Sequence, residues 1–263
     1  MRVLGFERRD LRMSLALFRM SLGDRFLGSA LGLVWALANP LLLLGIMSFV
    51  FGFVFKTRLP GAHTSLSYII WLISGYGPWL AVAESLSSST GSVVGNSGLV
   101  KNLIFKRELL PIVGTLMGFV PLTVSLLYLV ALLAWSGTAP SLSWLAVPLI
   151  LALQFLLIGG LGMFLAGINV FVRDTSMVLP HVLMVVLFAS PILYPITSLP
   201  TKAQRVLTFN PLYVLSQGYR MPLIQGLWPP AWMVAYLLVL ALLVFIAGLA
   251  FFRRLMRHFD SRL

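Results

Sequence analysis

The sequence predicts an all-α integral membrane protein: six transmembrane helices, an amphipathic helix ahead of them, a short amphipathic helix between the second and third, and a broken segment before the last. Three observations predict it. Hydrophobic residues make up 59% of the 263 and charged residues 10%, with a mean hydropathy of +0.98, which leaves too little polar surface to cover a core in water. Six apolar runs, at 27–55, 66–92, 111–135, 144–172, 177–194 and 231–252, approach or exceed the roughly 20 residues that cross a bilayer. The lysines and arginines stand at the ends of those runs, so the net charge of +12 reads as membrane topology and not as a nucleic-acid footprint.

Orientation follows from the same residues. Arg2, Arg8, Arg9, Arg12, Arg19 and Arg25 precede the first run; Lys101, Lys106 and Arg107 lie between the second and third; Arg173 follows the fourth; Arg253, Arg254, Arg257 and Arg262 follow the last. Alternating spans put all of these on one side and leave Lys56, Arg58, Lys202, Arg205 and Arg220 on the other. The positive-inside rule then places both termini in the cytoplasm of a multi-pass protein.

Within residues 1–26, Leu11, Leu15, Phe18 and Leu22 form one apolar stripe with Arg8, Arg12 and Arg19 beside it. That pattern predicts a helix lying in the headgroup layer, in contact with membrane lipid, its arginines snorkelling toward phosphates. The first run contains Ala36-Leu37-Ala38, the form of a signal cleavage site, but it continues through LLLLGIMSFVFGFVF, too far for a signal peptide. Gly28 and Gly32 read as close-packing positions.

In the second run, Gly75, Gly77 and Pro78 predict a break, with Tyr68, Trp71, Tyr76 and Trp79 around it. Below the break come Glu84, Ser85, Ser87, Ser88, Ser89, Thr90 and Ser92. An acid at that depth is costly against lipid, so Glu84 is expected to face the interior or a water-filled cavity. Serines there bond neighbouring helices or line a polar path.

Between the second and third runs, Asn96 or Ser97 can cap a helix over 97–109, and Pro111 suits the first turn of the next. About three turns are marginal alone in water. The helix therefore needs a surface: the membrane, the protein's own helix ends, or a partner protein. The fourth run carries Gly159, Gly160, Gly162 and Gly167, again read as packing positions, because no lysine follows to make a phosphate-binding loop. Any ATP is hydrolysed by another chain. Arg173 and Asp174 anchor the end of that run. The fifth run is the shortest, and Pro191, Pro195, Pro200, Pro211 and Pro222 punctuate its end and the stretch leading to the last span. Broken backbone at membrane depth is tolerated only where protein or water covers it.

Catalysis has no material here. With seven acids, no cysteine, and His63, His181 and His258 far apart, neither a metal site nor a nucleophile with its base can be assembled from the sequence. The chain is expected to be no enzyme and to hold no metal or cofactor. An ion-coupled secondary transporter using Glu84 is the alternative, although no internal repeat of the kind such transporters carry is seen.

Five segments together resemble a known family: RFLGSALGLVWALANPLL (25–42), SGYGPW (74–79), NSGLVKNLIFKRELLP (96–111), NVFVRD (169–174), and SPILYPITSLP with FNPLYVLSQGYR (190–200 and 209–220). They are similar to type-2 ABC exporter permeases of the polysaccharide and polyol-phosphate export family, nearest to its O-antigen permeases, with teichoic-acid and capsule permeases as relatives. The resemblance implies a bacterial inner-membrane protein, a homodimer, and two copies of an ABC ATPase that bind ATP and Mg. It implies a lipid-linked glycan as the exported substrate, and no nucleic acid. It makes residues 1–26 an interface helix and 97–109 a coupling helix docked on the ATPase through Leu99, Lys101, Asn102, Leu103, Phe105 and Lys106. It places Arg25, Trp35 and Pro40 in one pattern, and puts Trp35, Trp71, Tyr76, Trp79, Glu84 and Ser88 along the substrate path. It implies two short re-entrant helices over 196–208 and 211–225, within an outer gate segment (195–230) marked by Pro195, Asn210, Pro211 and Arg220. Arg220 is expected to meet anionic lipid or a substrate phosphate.

Overall fold

The computed structural model describes residues 8–25, 28–57, 64–102 and 105–259, with every side chain among them except those of Arg8 and Asn102. Leu103, expected in the docking set, lies outside the described residues. All regular structure among the described residues is helical. Among the described residues five helices are long and apolar enough to cross a membrane: Val34–Val54, Ser65–Gly95, Leu109–Trp135, Leu142–Phe171 and Ala231–Met256. The fifth expected span, 177–194, is met by Asp174–Ala189, whose 16 residues cover about 24 Å and fall short of the roughly 20 residues a span needs.

Helix α1 (Arg8–Asp24) packs on α5 (Leu109–Leu116) through Met13, Ser14, Leu17 and Phe18. Leu11, 64% exposed, and Leu15 beside it keep the apolar stripe on the outside of the helix, where lipid can meet it, while Phe18 of the same stripe turns toward the protein. Helix α2 (Val34–Phe49), continued by a π-helical turn at Val50–Val54, begins later than residue 27. The reason is Gly28 and Gly32, at φ +79° and +50°, in the left-handed region that ends a helix. Nothing lies within 4 Å of a Cβ added to either. They are turn glycines, and the close-packing assignment for them is wrong. Only Pro40, Leu44, Ser48 and Gly52 of this span are buried, one narrow edge at a four-residue spacing.

Helix α3 (Ser65–Gly95) is the central strut, 31 residues and about 46 Å long. It is continuous through Gly75, Gly77 and Pro78, so the expected break does not occur. The two glycines serve neighbours instead: a Cβ on Gly77 would lie 2.5 Å from Ser125 Cβ, and one on Gly75 would run into the Arg220 guanidinium. Pro78 removes one helical donor, but Gln154 Nε2 donates to the Pro78 carbonyl at 3.1 Å and holds the turn against α7 (Val147–Phe171).

The short α4 (Ser97–Asn102) follows, and Phe105 and Lys106 lie in a bend before α5. The helix expected over 97–109 is therefore only six residues where described. After a turn at Met117 and Gly118, α6 (Phe119–Trp135) completes this crossing. A 3-10 turn at Leu142–Ala146 leads into α7, and α8 (Asp174–Ala189) starts with Asp174 in its first turn, where the helix dipole favours an acid. Within 190–230 lie a 3-10 turn (Ile196–Ser198), α9 (Thr201–Leu207), α10 (Pro211–Arg220) and a π turn (Met221–Gln225) closed by Gly226 at φ +67°. The last helix is α11 (Ala231–Met256).

Polar side chains stitch α3 to its neighbours. Ser85 Oγ donates to the Thr115 carbonyl at 2.7 Å, Ser89 Oγ to the Pro111 carbonyl at 2.9 Å, and Asn169 Nδ2 to the Thr90 carbonyl at 2.9 Å. Ser85 and Ser89 are thus committed to helix contacts. Small residues set the distances: a Cβ on Gly114 would come within 2.6 Å of the Ser89 backbone, and one on Gly160 within 2.5 Å of the Val244 carbonyl. The expected packing role of the Gly159–Gly167 cluster holds for Gly160 and Gly162.

Gly248 faces the Gly160 carbonyl where α7 crosses α11, and backbone cannot yield as a flexible side chain can. Gly248→Ala is expected to cost about 1–3 kcal/mol, read as a lower thermal midpoint of the detergent-purified protein. Gly91→Ala, with nothing within 4 Å of the added Cβ, is expected to leave the midpoint unchanged or raise it. Equal midpoints for the two variants would contradict this packing.

Candidate functional site

Two polar centres interrupt the apolar bundle, one toward each end of α3. The first belongs to α10. Asn210 caps that helix, its side-chain oxygen accepting from Leu212 N at 2.9 Å, and Pro211 sits in its first turn; Asn210 Nδ2 also donates to Ser190 Oγ at 3.0 Å. Pro195 is half-buried. Arg220 ends the helix and is 1% exposed. Its Nη2 donates to the Ile192 carbonyl at 2.7 Å and its Nε to the Trp71 carbonyl at 3.3 Å. Its Nη1 makes longer contacts of 3.5 Å to the Pro191 carbonyl and Ser216 Oγ. Its Cζ stands 3.8 Å from the centre of the Trp71 ring.

These partners are neutral. Carbonyl dipoles and an aromatic face take the place of water around the charge, while the guanidinium satisfies carbonyls freed where α8 ends. Arg220 is therefore out of reach of lipid or substrate phosphate, against expectation, because the planar fork is consumed inside the protein. Trp71 is committed to it. Tyr76 packs in the core. Tyr219 Oη donates to Gln154 Oε1 at 2.7 Å, so α10, α7 and α3 share one hydrogen-bonded chain.

The second centre is Arg25 with Glu84. Arg25 leaves the turn after α1 and grips the Glu84 carboxylate with both terminal nitrogens: Nη1 on Oε1, and Nη2 on Oε2 at 3.0 Å. Ser88 Oγ donates to Oε1 at 2.7 Å. The hydrogen bond to Glu84 raises the Arg25 pKa above its ordinary value. Arg25 lines three cavities. One of about 680 Å³ is lined by Asn39, Pro40, Trp79, Glu84, Ser87, Met184 and Arg25 among others. A second, about 530 Å³, is lined by Ser21, Arg25, Ser88, Ser92, Gly95 and Asn96 with their neighbours. A small one of about 60 Å³ lies against Arg25, Trp35, Pro40 and Glu84. The structure thus brings Trp35, Trp79, Glu84 and Ser88 to one cavity system and leaves Trp71 and Tyr76 out of it.

At the Gly95 end of α3, Leu99 and Phe105 pack against the cluster of Val100, Leu109, Val113 and Phe252, and Lys106 pairs with Asp10. The buried Glu108 accepts from Arg253 Nε at 2.9 Å. Of the expected docking residues, Lys101 is exposed; Leu99, Phe105 and Lys106 are engaged within the chain. Sequence reasoning missed Arg25 as the partner of Glu84, Asp10 as the partner of Lys106, and the Glu108–Arg253 pair, since separations of 59, 96 and 145 residues leave no local pattern. Gln154 and Asn169 were detectable as amides inside an apolar run. Among the described residues no group of three or more histidines and acids is placed to hold a metal.

A family model for the ABC-2 type transporter matches residues 15–224. An O-antigen export system permease protein RfbA of Klebsiella pneumoniae is 29% identical over 236 residues, covering 89% of this chain and 88% of the relative. The RfbA protein of Myxococcus xanthus is 26% identical over 78% of each chain. The polysialic acid transport protein KpsM of Escherichia coli is 25% identical over 95% of each.

Removing the Arg220 fork takes the donor from the Pro191 and Ile192 carbonyls, while that of Trp71 keeps Ser74 Oγ at 2.8 Å. Arg220→Ala is expected to cost about 3 kcal/mol or more, since each buried group left unpaired costs about 1–3, and Arg220→Lys is expected to recover little of it because an ammonium cannot reach carbonyls on two sides. Thermal unfolding followed by tryptophan fluorescence measures both; an Arg220→Lys midpoint equal to the parent's would show that the fork is not required.

Proposed function

Because the chain belongs to the ABC-2 type transporter family, a family of transmembrane permease subunits, we propose that it is the membrane half of an ATP-driven exporter of lipid-linked polysaccharide across the bacterial inner membrane. O-antigen is the foremost substrate; capsular polysaccharide and teichoic acid are the other members of the class. The observation that carries the reading is the match to named O-antigen export permeases over nearly nine-tenths of both chains. It is supported by a sequence with no G-x-x-x-x-G-K-[ST] loop, which leaves ATP and Mg to a partner ATPase. It is supported also by the open cavity beside Arg25, Glu84 and the exposed Ser87, whose polar groups can hydrogen-bond sugar hydroxyls.

In this reading the protein is a homodimer with two ATPase subunits, both termini lie in the cytoplasm, and the outer gate is the 195–230 segment. The exposed faces of α2 and α8, with Leu37, Leu41, Met177 and Val185 outward, offer apolar surface for a second copy or for lipid. The ATPase contact is a composite surface: α1 and the 97–106 stretch are tied together by Asp10 and Lys106, so a push on either moves both. An ion-coupled mechanism through Glu84 loses support, since both carboxylate oxygens are engaged by Arg25.

Deleting the gene should leave lipid-linked glycan accumulating on the cytoplasmic leaflet and absent from the cell surface, and an unchanged surface glycan would overturn the reading. Lys101→Glu is expected to lower export about ten-fold or more, as removal of a matched interface charge does. The variant should retain the parent's thermal midpoint and lose the co-purifying ATPase. The paired exchange Asp10→Lys with Lys106→Asp is expected to keep export, because the internal tie survives; its loss would return Lys106 to the docking surface.

A further inference from the structure

The Arg25–Glu84 pair stands in the walls these cavities share, and that position has a meaning apart from fold stability. Arg25 borders all three cavities and Glu84 two of them. On one side is the space lined by Ser88, Ser92, Gly95 and Asn96, toward the end of α3 that carries α4. On the other is the larger, mostly apolar space beside Trp79, Pro121 and Met184. Ser92 lines only the first of these two and Ser87 only the second.

We propose that Glu84 is a positioning residue that, by holding Arg25 across this junction, keeps the two cavities apart, and that the pair opens for passage between them. The bidentate fork fixes the guanidinium plane in the gap. The side chains are 44% and 21% exposed, and pairs that wet contribute little to stability. A contact of this kind suits a latch better than a structural pin, in contrast to the fully buried Arg220. Arg25 also follows directly on α1, so any displacement of α1 pulls on the latch. That α1 is displaced by an ATPase rests on the exporter reading; the latch does not.

The chain has no cysteine, so single cysteines report access cleanly. Ser87→Cys and Ser92→Cys are each made in the full chain in membrane vesicles. A membrane-impermeant maleimide is applied to whichever face labels Lys101→Cys, which fixes the side without assuming it. In the parent background Ser92→Cys, half-buried on the α4 side of the pair, is expected to label fast; Ser87→Cys, exposed but lining only the cavity on the far side, is expected to label slowly because the reagent must pass the pair to reach it. Adding Glu84→Gln is expected to raise the Ser87→Cys rate about five-fold, the factor set by losing a half-exposed ion pair, with Ser92→Cys unchanged. The exchange Arg25→Glu with Glu84→Arg is expected to restore slow labelling, which a merely structural loss would not do. Equal Ser87→Cys rates with and without Glu84, or no restoration by the exchange, would overturn the latch. A latch that passes this test in a chain that exports no glycan would instead remove the exporter reading.

Discussion

The guanidinium of Arg220, buried among carbonyl oxygens, is the contact on which the Ser65 half of the structure depends. A chain that breaks its helix in an apolar interior leaves backbone groups that water cannot reach, and each must find a partner. Here α8 stops at Ala189 and the following turns present the Pro191 and Ile192 carbonyls inward, where Arg220 collects them together with that of Trp71. Gly75 exists as glycine because the fork occupies the place of its side chain. One cation thus fixes α10, the end of α8 and the upper part of α3 relative to one another.

The remainder of α3 is held by smaller means. Its serines donate to carbonyls of α5, the Gln154 and Asn169 amides reach it from α7, and glycines at 114, 160, 162 and 248 let helix backbones approach. With lipid as the surrounding solvent, close packing and interhelical hydrogen bonds supply the specificity that a hydrophobic driving force supplies in water. Toward the Gly95 end the ties become ionic, Asp10 to Lys106 and Glu108 to Arg253. Fixed dipoles hold one end, while at the other each tie joins a more sheltered acid, Asp10 or Glu108, to an exposed cation, Lys106 or Arg253.

Much of this was legible in the residues. Apolar length located the helices, and the proline spacing after Pro191 marked the irregular segment in which α9 and α10 lie. The features that were not legible have identifiable causes. Gly28 and Gly32 look like a packing pair at four-residue spacing, and only their positive φ shows them to be turns. Gly75, Gly77 and Pro78 look like a break, but a buried helix with neighbours on several sides keeps its course through one missing donor. The stripe of Leu11 and Leu15 marked the outward apolar face of α1; the face of Met13, Ser14 and Leu17 that meets the protein was not legible, because it mixes polar with apolar residues. Glu84 was recognised as costly at its depth; its partner, 59 residues away, was beyond any local pattern.

The proposed transport cycle therefore has a simple division: force enters through α1 and the 97–106 stretch, the Arg25–Glu84 latch opens the interior, and the Arg220-anchored segment forms the outer barrier. The most direct test of its central claim is movement of a lipid-linked glycan in proteoliposomes containing this chain and the ATPase that co-purifies with it. The account predicts glycan reaching the far leaflet only when ATP is hydrolysed, with a proton or sodium gradient having no effect. Gradient-driven movement by the chain alone, without ATPase or ATP, would contradict it.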